Sequence, residues 1–127
     1  MSKVVTCDKI PEAVGPYSVA KWAGDLLFIS GQIGMTRGSK GLVDGGTVAQ
    51  AEQTLRNLEE ILSEVNLKWD DVVKVNIYLS DISDYTEVNN IYSRFLNNCE
   101  AMPARVCYEV AKLPLGAKVE IEAIAQR

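Results

Sequence analysis

The segment at 26–30, LLFIS, is apolar at every position but the last, so the strand that it predicts is hydrophobic on both faces. Because successive side chains of a strand point to opposite sides of a sheet, both sides of this strand must be shielded from water. A second segment repeats the pattern, since Val106, Tyr108 and Val110 alternate with Cys107 on the opposite side. The fold must therefore supply cover for both faces of its sheet.

Two amphipathic segments predict helices that can supply part of this cover. The first follows Thr47 and Gln50, which are typical of a capping box at the start of a helix. The second begins near Asp84, with Glu87 three residues further on. Each segment repeats apolar residues at helical spacing: Ala51, Leu55, Leu58, Leu62 and Val65 in the first, and Val88, Ile91, Tyr92, Phe95 and Cys99 in the second.

The remaining segments predict strands. They are a short strand over 4–7, a hairpin over 18–34 that turns at 23–25, a strand over 71–80, and two strands within 102–125 that are interrupted at AKLPLG. In the strand over 71–80, alternation predicts that four residues share one side: Val73, Val75, Ile77 and Leu79.

The order strands, helix, strand, helix, strands predicts a single α+β domain over residues 1–127. Two helices can cover only one face of the sheet, and the chain offers no third layer. A second copy of the chain is the simplest cover for the other face. We therefore expect an obligate homo-oligomer.

The composition excludes several classes of function. The chain has 13 Lys and Arg residues against 17 Asp and Glu, and no basic run interrupts this balance. Nucleic-acid binders usually carry a basic excess, so a nucleic-acid partner is disfavoured. There is no histidine, which excludes a His base and a His-rich zinc site. Proton transfer must fall to Glu, Asp, Tyr, Cys, Lys or water.

The cysteines and the N-terminal segment bear on location. Cys7, Cys99 and Cys107 are odd in number and form no C-x-x-C pair, which favours free thiols in a reducing compartment. The first residues are too polar for a secretory signal and too acidic for a typical transit peptide. No apolar run approaches the ~20 residues of a membrane helix. We expect a cytoplasmic protein that does not span a membrane, and a mitochondrial location stays open.

Arg105 and Glu120 each interrupt an apolar strand. Alternation places Arg105 on the side of Cys107, and Glu120 on the side of Glu122. If the two strands pair as a hairpin, Arg105 and Glu120 share the face that the oligomer covers. They then form either a solvated ion pair worth about 0.5 kcal/mol, or a shielded site where Arg105 binds a carboxylate and Glu120 polarises a water.

Five motifs stand around this pair: GPYS at 15–18, ISGQIG at 29–34, PAR at 103–105, CYEVAKL at 107–113 and VEIEAIA at 119–125. In order and spacing they resemble the RidA family, also called YjgF/YER057c/UK114 or reactive intermediate deaminase. The resemblance covers nearly the whole chain, from about Lys3 to Arg127.

The resemblance implies a chorismate-mutase-like α+β subunit with a mixed sheet and two helices on one face. Such subunits assemble into a homotrimer whose sheets form a central barrel, with clefts between subunits. The implied reaction is hydrolysis of 2-imino acids, such as 2-iminobutanoate and 2-iminopropanoate, to 2-keto acids and ammonia. The resemblance implies neither a cofactor nor a metal.

By matching position, the resemblance assigns roles to individual residues. Arg105 binds the substrate carboxylate, Glu120 orients the attacking water and moves protons, and Tyr17 lines the cleft as a further catalytic residue. The other implied substrate contacts are Ser30, the Gly31 backbone, Asn89 and the main-chain N–H of Cys107. Each group also has a structural interpretation; Ser30, for example, can hydrogen-bond nearby backbone at a strand end.

Two other functions stay open. One is a ribonuclease, an activity contained in an older family name, which the missing histidine and the negative net charge disfavour. The other is a non-catalytic module that binds small carboxylates or acts as a chaperone. The chain also has Val19 where many members carry Gln, which would alter the choice of imine or the oligomer contact.

Overall fold

The computed structural model describes residues 3–127 and is built on one six-stranded sheet. Met1 and Ser2, the first residues of the predicted domain, lie outside the described residues. The strand order is β1-β2-β3-β6-β4-β5. β5 pairs with β4 in parallel, and the other neighbours are antiparallel. The strands are β1 (Val4–Val5), β2 (Ala20–Ala23), β3 (Leu26–Gln32), β4 (Val72–Leu79), β5 (Ala104–Glu109) and β6 (Val119–Gln126).

Two helices, α1 (Gly46–Glu64) and α2 (Tyr85–Phe95), pack together on one face of this sheet. The predicted apolar stripe of α1 is buried, apart from Val65, which is partly buried. In α2 the stripe ends earlier than predicted, because Cys99 lies beyond the last helical residue. The predicted α+β fold with both helices on one face is confirmed. No helix within residues 3–127 is long and apolar enough to cross a bilayer.

The central strands show which side of the sheet faces the helices. On β6, Val119, Ile121, Ala123 and Ala125 are buried, and the alternating Glu120 lies on the opposite, open face. β4 buries three of its four predicted residues in the same core. The fourth, Val73, is exposed, so that prediction was wrong.

The cause of this exception is an irregularity in the β4–β6 ladder. The register shifts between Val72 and Lys74, so strict alternation does not hold at the start of β4. Val72 therefore takes the core position that a regular strand would give to Val73.

The predicted capping box at the start of α1 was also wrong. The N-cap residue is Gly45, whose φ of 112° lies in the left-handed region and which has no side chain to cap with. Thr47 instead donates its hydroxyl to Asp84 Oδ2 at 3.1 Å, and Gln50 Oε1 accepts the N–H of Lys118 at 2.8 Å. These side chains attach α1 to the start of α2 and to the segment before β6.

Gly34, which follows β3, lies close to the backbone of Gln50 in α1. A Cβ atom at position 34 would lie 2.6 Å from the Cα of Gln50 and 2.9 Å from its carbonyl oxygen. Both atoms are backbone and cannot rotate away. We expect Gly34→Ala to lower the free energy of unfolding by about 1–3 kcal/mol, seen as a lower urea midpoint.

The matched control for this substitution is Gly41→Ala. Position 41 has open space within 4 Å, and its φ does not lie in the left-handed region. The control is therefore expected to change the free energy of unfolding by less than about 0.5 kcal/mol. Equal urea midpoints for the two variants would contradict the close approach at Gly34.

Candidate functional site

A cavity of about 580 Å³ opens at the end of β3, and Glu120 lies in its wall. We call it the glutamate pocket and define it by Tyr17, Val19, Gly31, Gln32 and Glu120, which line it together with apolar residues of the surrounding loops. Two of the predicted catalytic residues, Tyr17 and Glu120, therefore meet in one cavity. Residues 3–127 contain no group of three or more His, Cys, Asp or Glu placed to hold a metal ion.

Glu120 lies against the backbone of Gly31. The β3–β6 register is irregular between Ile29 and Gln32, which places Ser30 and Gly31 in a bulge beside β6. A Cβ atom at position 31 would overlap Oε2 of Glu120 and lie 2.9 Å from its Cδ. Only glycine leaves room for this carboxyl group, so Gly31 shapes the pocket through the side chain that it lacks.

The protonation of Glu120 is altered by its surroundings. The residue is half-buried, and burial raises the pKa of its carboxyl group above the usual range. The like charge of Glu122 raises this pKa further. A carboxyl group whose pKa is raised toward neutrality is suited to exchanging protons with a bound substrate.

Ser30 and Tyr17 have different places around the pocket. Ser30 Oγ donates to the carbonyl of Ser18 at 2.6 Å, and Ser30 is absent from the lining that Glu120 shares. This hydrogen bond connects β3 to the segment that carries Tyr17. Ser30 therefore bonds to nearby backbone, which is the structural role that its position at a strand end predicts. Tyr17 follows a tight turn in which its N–H donates to Gly15 O at 2.8 Å, and its ring is half-exposed in the pocket.

Arg105 lies on the other face of the sheet, at the outer strand β5. Its Nη2 donates to the hydroxyl of Tyr85 at 3.0 Å. Its guanidinium carbon lies 4.9 Å from the ring centroid of Tyr92 and 5.7 Å from that of Tyr85, at cation–π distance. Within residues 3–127, no carboxylate pairs with this cation. The guanidinium is therefore held in place by aromatic rings and keeps donors for an anion.

Cys107 extends this site along β5. In residues 3–127, β5 has β4 as its one neighbour. Because the N–H of Val110 donates to Leu79 on β4, alternation directs the N–H of Cys107 away from the sheet. Burial raises the pKa of the Cys107 thiol against the opposing effect of Arg105, so the side chain stays a protonated thiol. The main chain, and not the sulfur, is the group available to a ligand.

The sequence reasoning assigned Asn89 to the site and missed two tyrosines beside it. Tyr85, Asn89 and Tyr92 stand at i, i+4 and i+7 of α2, so they share one face of the helix. The Tyr92 hydroxyl is buried without a hydrogen-bond partner among the described residues, and burial raises its pKa to about 12. Helical spacing from Asn89 would have predicted that Tyr85 and Tyr92 lie on the same face of α2. We call this set the arginine edge (Tyr85, Asn89, Tyr92, Arg105 and Cys107).

The strands of Arg105 and Glu120 do not pair as a hairpin, so the condition for the two residues to share a face is not met. β4 lies between β5 and β6, which separates the two strands by roughly 10 Å. Arg105 is the register partner of buried Val75 on the helix side, whereas Glu120 is opposite Tyr78 on the open face. One chain therefore does not bring the guanidinium and the carboxyl group together, and they belong to two separate candidate half-sites, the arginine edge and the glutamate pocket.

Comparison with known proteins agrees with this fold. The family model described as Endoribonuclease L-PSP matches residues 7–127. The 2-iminobutanoate/2-iminopropanoate deaminase of Mus musculus is 45% identical over 123 residues, which covers 97% of this chain and 90% of that protein.

Solved structures are similar over the whole chain. The YjgF gene product from E. coli has a TM-score of 0.92 and 37% identity, with 99% of both chains covered. E. coli TdcF with bound serine has a TM-score of 0.90 and 33% identity, again over 99% of both chains. The match to the family model, the identity to curated relatives and the shared fold together place this chain in the endoribonuclease L-PSP family, the RidA (YjgF/YER057c/UK114) family that its motifs predict.

Proposed function

We propose that this protein hydrolyses reactive 2-imino acids, such as 2-iminobutanoate and 2-iminopropanoate, to 2-keto acids and ammonia. The observation that carries the proposal is the pair of complementary half-sites. The arginine edge offers a cation that has no carboxylate partner within residues 3–127, and the glutamate pocket offers a carboxyl group with raised pKa. Relatives from Mus musculus and Homo sapiens, 45% and 43% identical, bear the name of this activity, which supports the reaction class.

The site proposed for the reaction lies between two copies of the chain. Phe28 and Tyr108 are 46% and 49% exposed, and with Val106 they form apolar surface on the open face of the sheet. Apolar surface of this kind is typical of an interface. A homotrimer whose sheets face a common axis would cover it and set the arginine edge of one copy against the glutamate pocket of the next.

The arginine edge is assigned the substrate carboxylate. A guanidinium can make two parallel hydrogen bonds to a carboxylate, and the outward N–H of Cys107 adds a third donor. The hydroxyl of Tyr85 and the ring of Tyr92 hold the guanidinium before substrate binds, which lowers the entropy cost of binding. Asn89 provides a further polar side chain on the same helix face.

The glutamate pocket is assigned the hydrolysis. An imine carbon is already electrophilic, so a fixed substrate and one well-placed water are sufficient for attack. Glu120 orients this water and exchanges protons with it, and Tyr17 lines the same cavity. The role of Gly31 is to leave room for the carboxyl group of Glu120.

The test is a coupled assay in which a pyridoxal-phosphate threonine dehydratase generates 2-iminobutanoate. We expect this protein to accelerate the appearance of 2-ketobutyrate and ammonia, in proportion to its concentration. An equal mass of an unrelated protein serves as the control. If the imine decays at its uncatalysed rate at every concentration of the folded protein, the proposed reaction is wrong.

Binding of a small carboxylate without turnover is a second candidate. It is favoured by the structure of E. coli TdcF with bound serine, a compound that carries a carboxylate and no imine. Calorimetry with 2-ketobutyrate would support this candidate if it detects binding while the coupled assay shows no acceleration. The two assays together therefore separate a binding module from an enzyme.

A further inference from the structure

Glu122 is clamped on the open face of the sheet by two residues of β4. Its Oε1 accepts the hydroxyl of Tyr78 at 2.6 Å and the side-chain N–H of Asn76 at 3.0 Å. The Tyr78 ring is itself held edge-on against Tyr108, with ring centroids 5.4 Å apart. None of these residues belongs to the half-sites described above, and the mechanism leaves this arrangement unexplained.

The clamp lies directly beside Glu120. Glu122 is two residues further along β6 on the same face, about 6.6 Å along the strand. The register partner of Tyr78 is Glu120, whereas that of Glu122 is Asn76. The Tyr78 hydroxyl therefore donates to the diagonal residue Glu122 and not to its register partner Glu120. The two hydrogen bonds therefore hold the Glu122 carboxyl group in a fixed position on the face of β6 that it shares with Glu120.

The charge of Glu122 acts on Glu120 in addition to burial, which is the larger cause of the raised Glu120 pKa. Hydrogen bonding to Glu122 raises the pKa of Tyr78, so its phenol stays protonated and keeps donating. The other titratable groups around Glu120 are those of the pocket wall, of β5 and of the residue just before β6: Glu12, Tyr17, Lys40, Tyr108 and Lys118. Glu122 is the residue whose charge raises the pKa of Glu120.

We propose that Glu122 is a positioning residue for imine hydrolysis, a fixed negative charge that enables Glu120 to take up a proton from water and return it to the departing nitrogen. This inference rests on the proposed function, because it assumes the proton-transfer role of Glu120. A group that both accepts and returns a proton works best when its pKa lies near the working pH.

The proton steps balance as follows for a protonated imine. The water oxygen bonds to the imine carbon, the C=N π electrons move to nitrogen, and Glu120 takes one proton of the water. Glu120 returns this proton to the nitrogen. The C–N bond then breaks as the hydroxyl oxygen forms the C=O bond, ammonia leaves, and the hydroxyl proton passes through Glu120 to solvent.

The test is the Glu122→Gln variant of the full chain. The amide oxygen still accepts from Tyr78 and Asn76, so the substitution removes the charge and keeps the clamp. The titration of Glu120 is followed by NMR of carboxyl-labelled protein, with Glu120→Gln for assignment. We expect the Glu120 pKa to fall in Glu122→Gln, because the like charge that opposes its ionisation is gone.

The same variant is assayed for imine hydrolysis across pH. Hydrolysis begins with ionised Glu120. A lower Glu120 pKa therefore moves the acidic limb of the pH profile of kcat/KM to lower pH. The kcat at neutral pH falls about three- to tenfold, because Glu120 holds the returning proton less often. Glu109→Gln is the matched control, since it removes the same charge from β5, where Glu109 accepts the N–H of Ile82 at 2.9 Å. This control is expected to leave both measurements unchanged.

Two outcomes overturn the inference, and they are distinguishable. An unchanged Glu120 titration in folded Glu122→Gln shows that Glu122 exerts no control, whatever Glu120 does in the reaction. A shifted titration with an unmoved pH–rate profile shows that Glu120 transfers no proton, which also removes that part of the proposed function. If Glu122→Gln does not fold, Tyr78→Phe is used instead, because it keeps the ring and removes one hydrogen-bond donor to Glu122. A smaller fall of the Glu120 pKa in this variant supports the inference, and an unchanged Glu120 pKa overturns it.

Discussion

The Arg105→Ala variant is expected to lose at least about a hundredfold in kcat/KM for 2-iminobutanoate while it stays folded. Two charge-assisted hydrogen bonds to the substrate carboxylate disappear, each worth about 1.5–3 kcal/mol. The fold is expected to tolerate the change, because Arg105 is partly exposed on the outer strand and forms no ion pair within residues 3–127. The coupled assay and a urea titration measure the two effects separately.

Three further variants sharpen this test. Arg94→Ala removes the same side chain from an exposed position on α2, where its nearest carboxylate is Glu52 at 3.9 Å, and should keep full activity. Arg105→Lys keeps the positive charge and loses the planar guanidinium, so its kcat/KM should lie between those of Arg105→Ala and Arg94→Ala. Tyr85→Phe keeps the ring and loses the hydrogen bond, and should raise KM severalfold. Full activity in folded Arg105→Ala would refute the carboxylate assignment.

The Gly31→Ala variant is expected to lose more than about tenfold in kcat with little loss of stability. A Cβ atom at position 31 would lie 2.9 Å from Cδ and 3.1 Å from Cγ of Glu120. These are atoms of a flexible side chain, so Glu120 can rotate away at small cost to folding. The backbone at Gly31 does not occupy the left-handed region, so alanine fits its conformation. A displaced carboxyl group no longer places the water, and a shift of about 1 Å can cost a hundredfold in rate.

The comparison with Gly34→Ala makes this prediction specific. Both substitutions add one methyl group to the same motif, yet position 34 meets backbone and position 31 meets a side chain. One variant should lose stability and the other activity. Adding Gly31→Ala to Glu120→Gln should cause no further loss of rate, because both disable the same group. If Gly31→Ala alone retains the full kcat, the position of Glu120 does not matter for the reaction.

The parts of this molecule that were predicted correctly depend on local periodicity. The apolar stripe of α1 and the alternation along β6 each follow from side-chain direction within a single element, so they can be counted along the chain. The three free cysteines were predicted as well. The errors at Val73 and at the Thr47 capping box share a different cause. In each case a tertiary contact, the β4–β6 register or the bond to Asp84, overrode the local rule.

The sequence by itself determined which residues share a face wherever a strand is regular, as in β6, how many helices there are to cover the sheet, and which family the motifs match. Only the tertiary structure decided which strands become neighbours. β6 lies between β3 and β4, which leaves β5 at the edge and puts Arg105 and Glu120 on opposite faces. The physical reason is that alternation is a property of one strand, whereas the choice of a partner strand depends on burying the whole core at once.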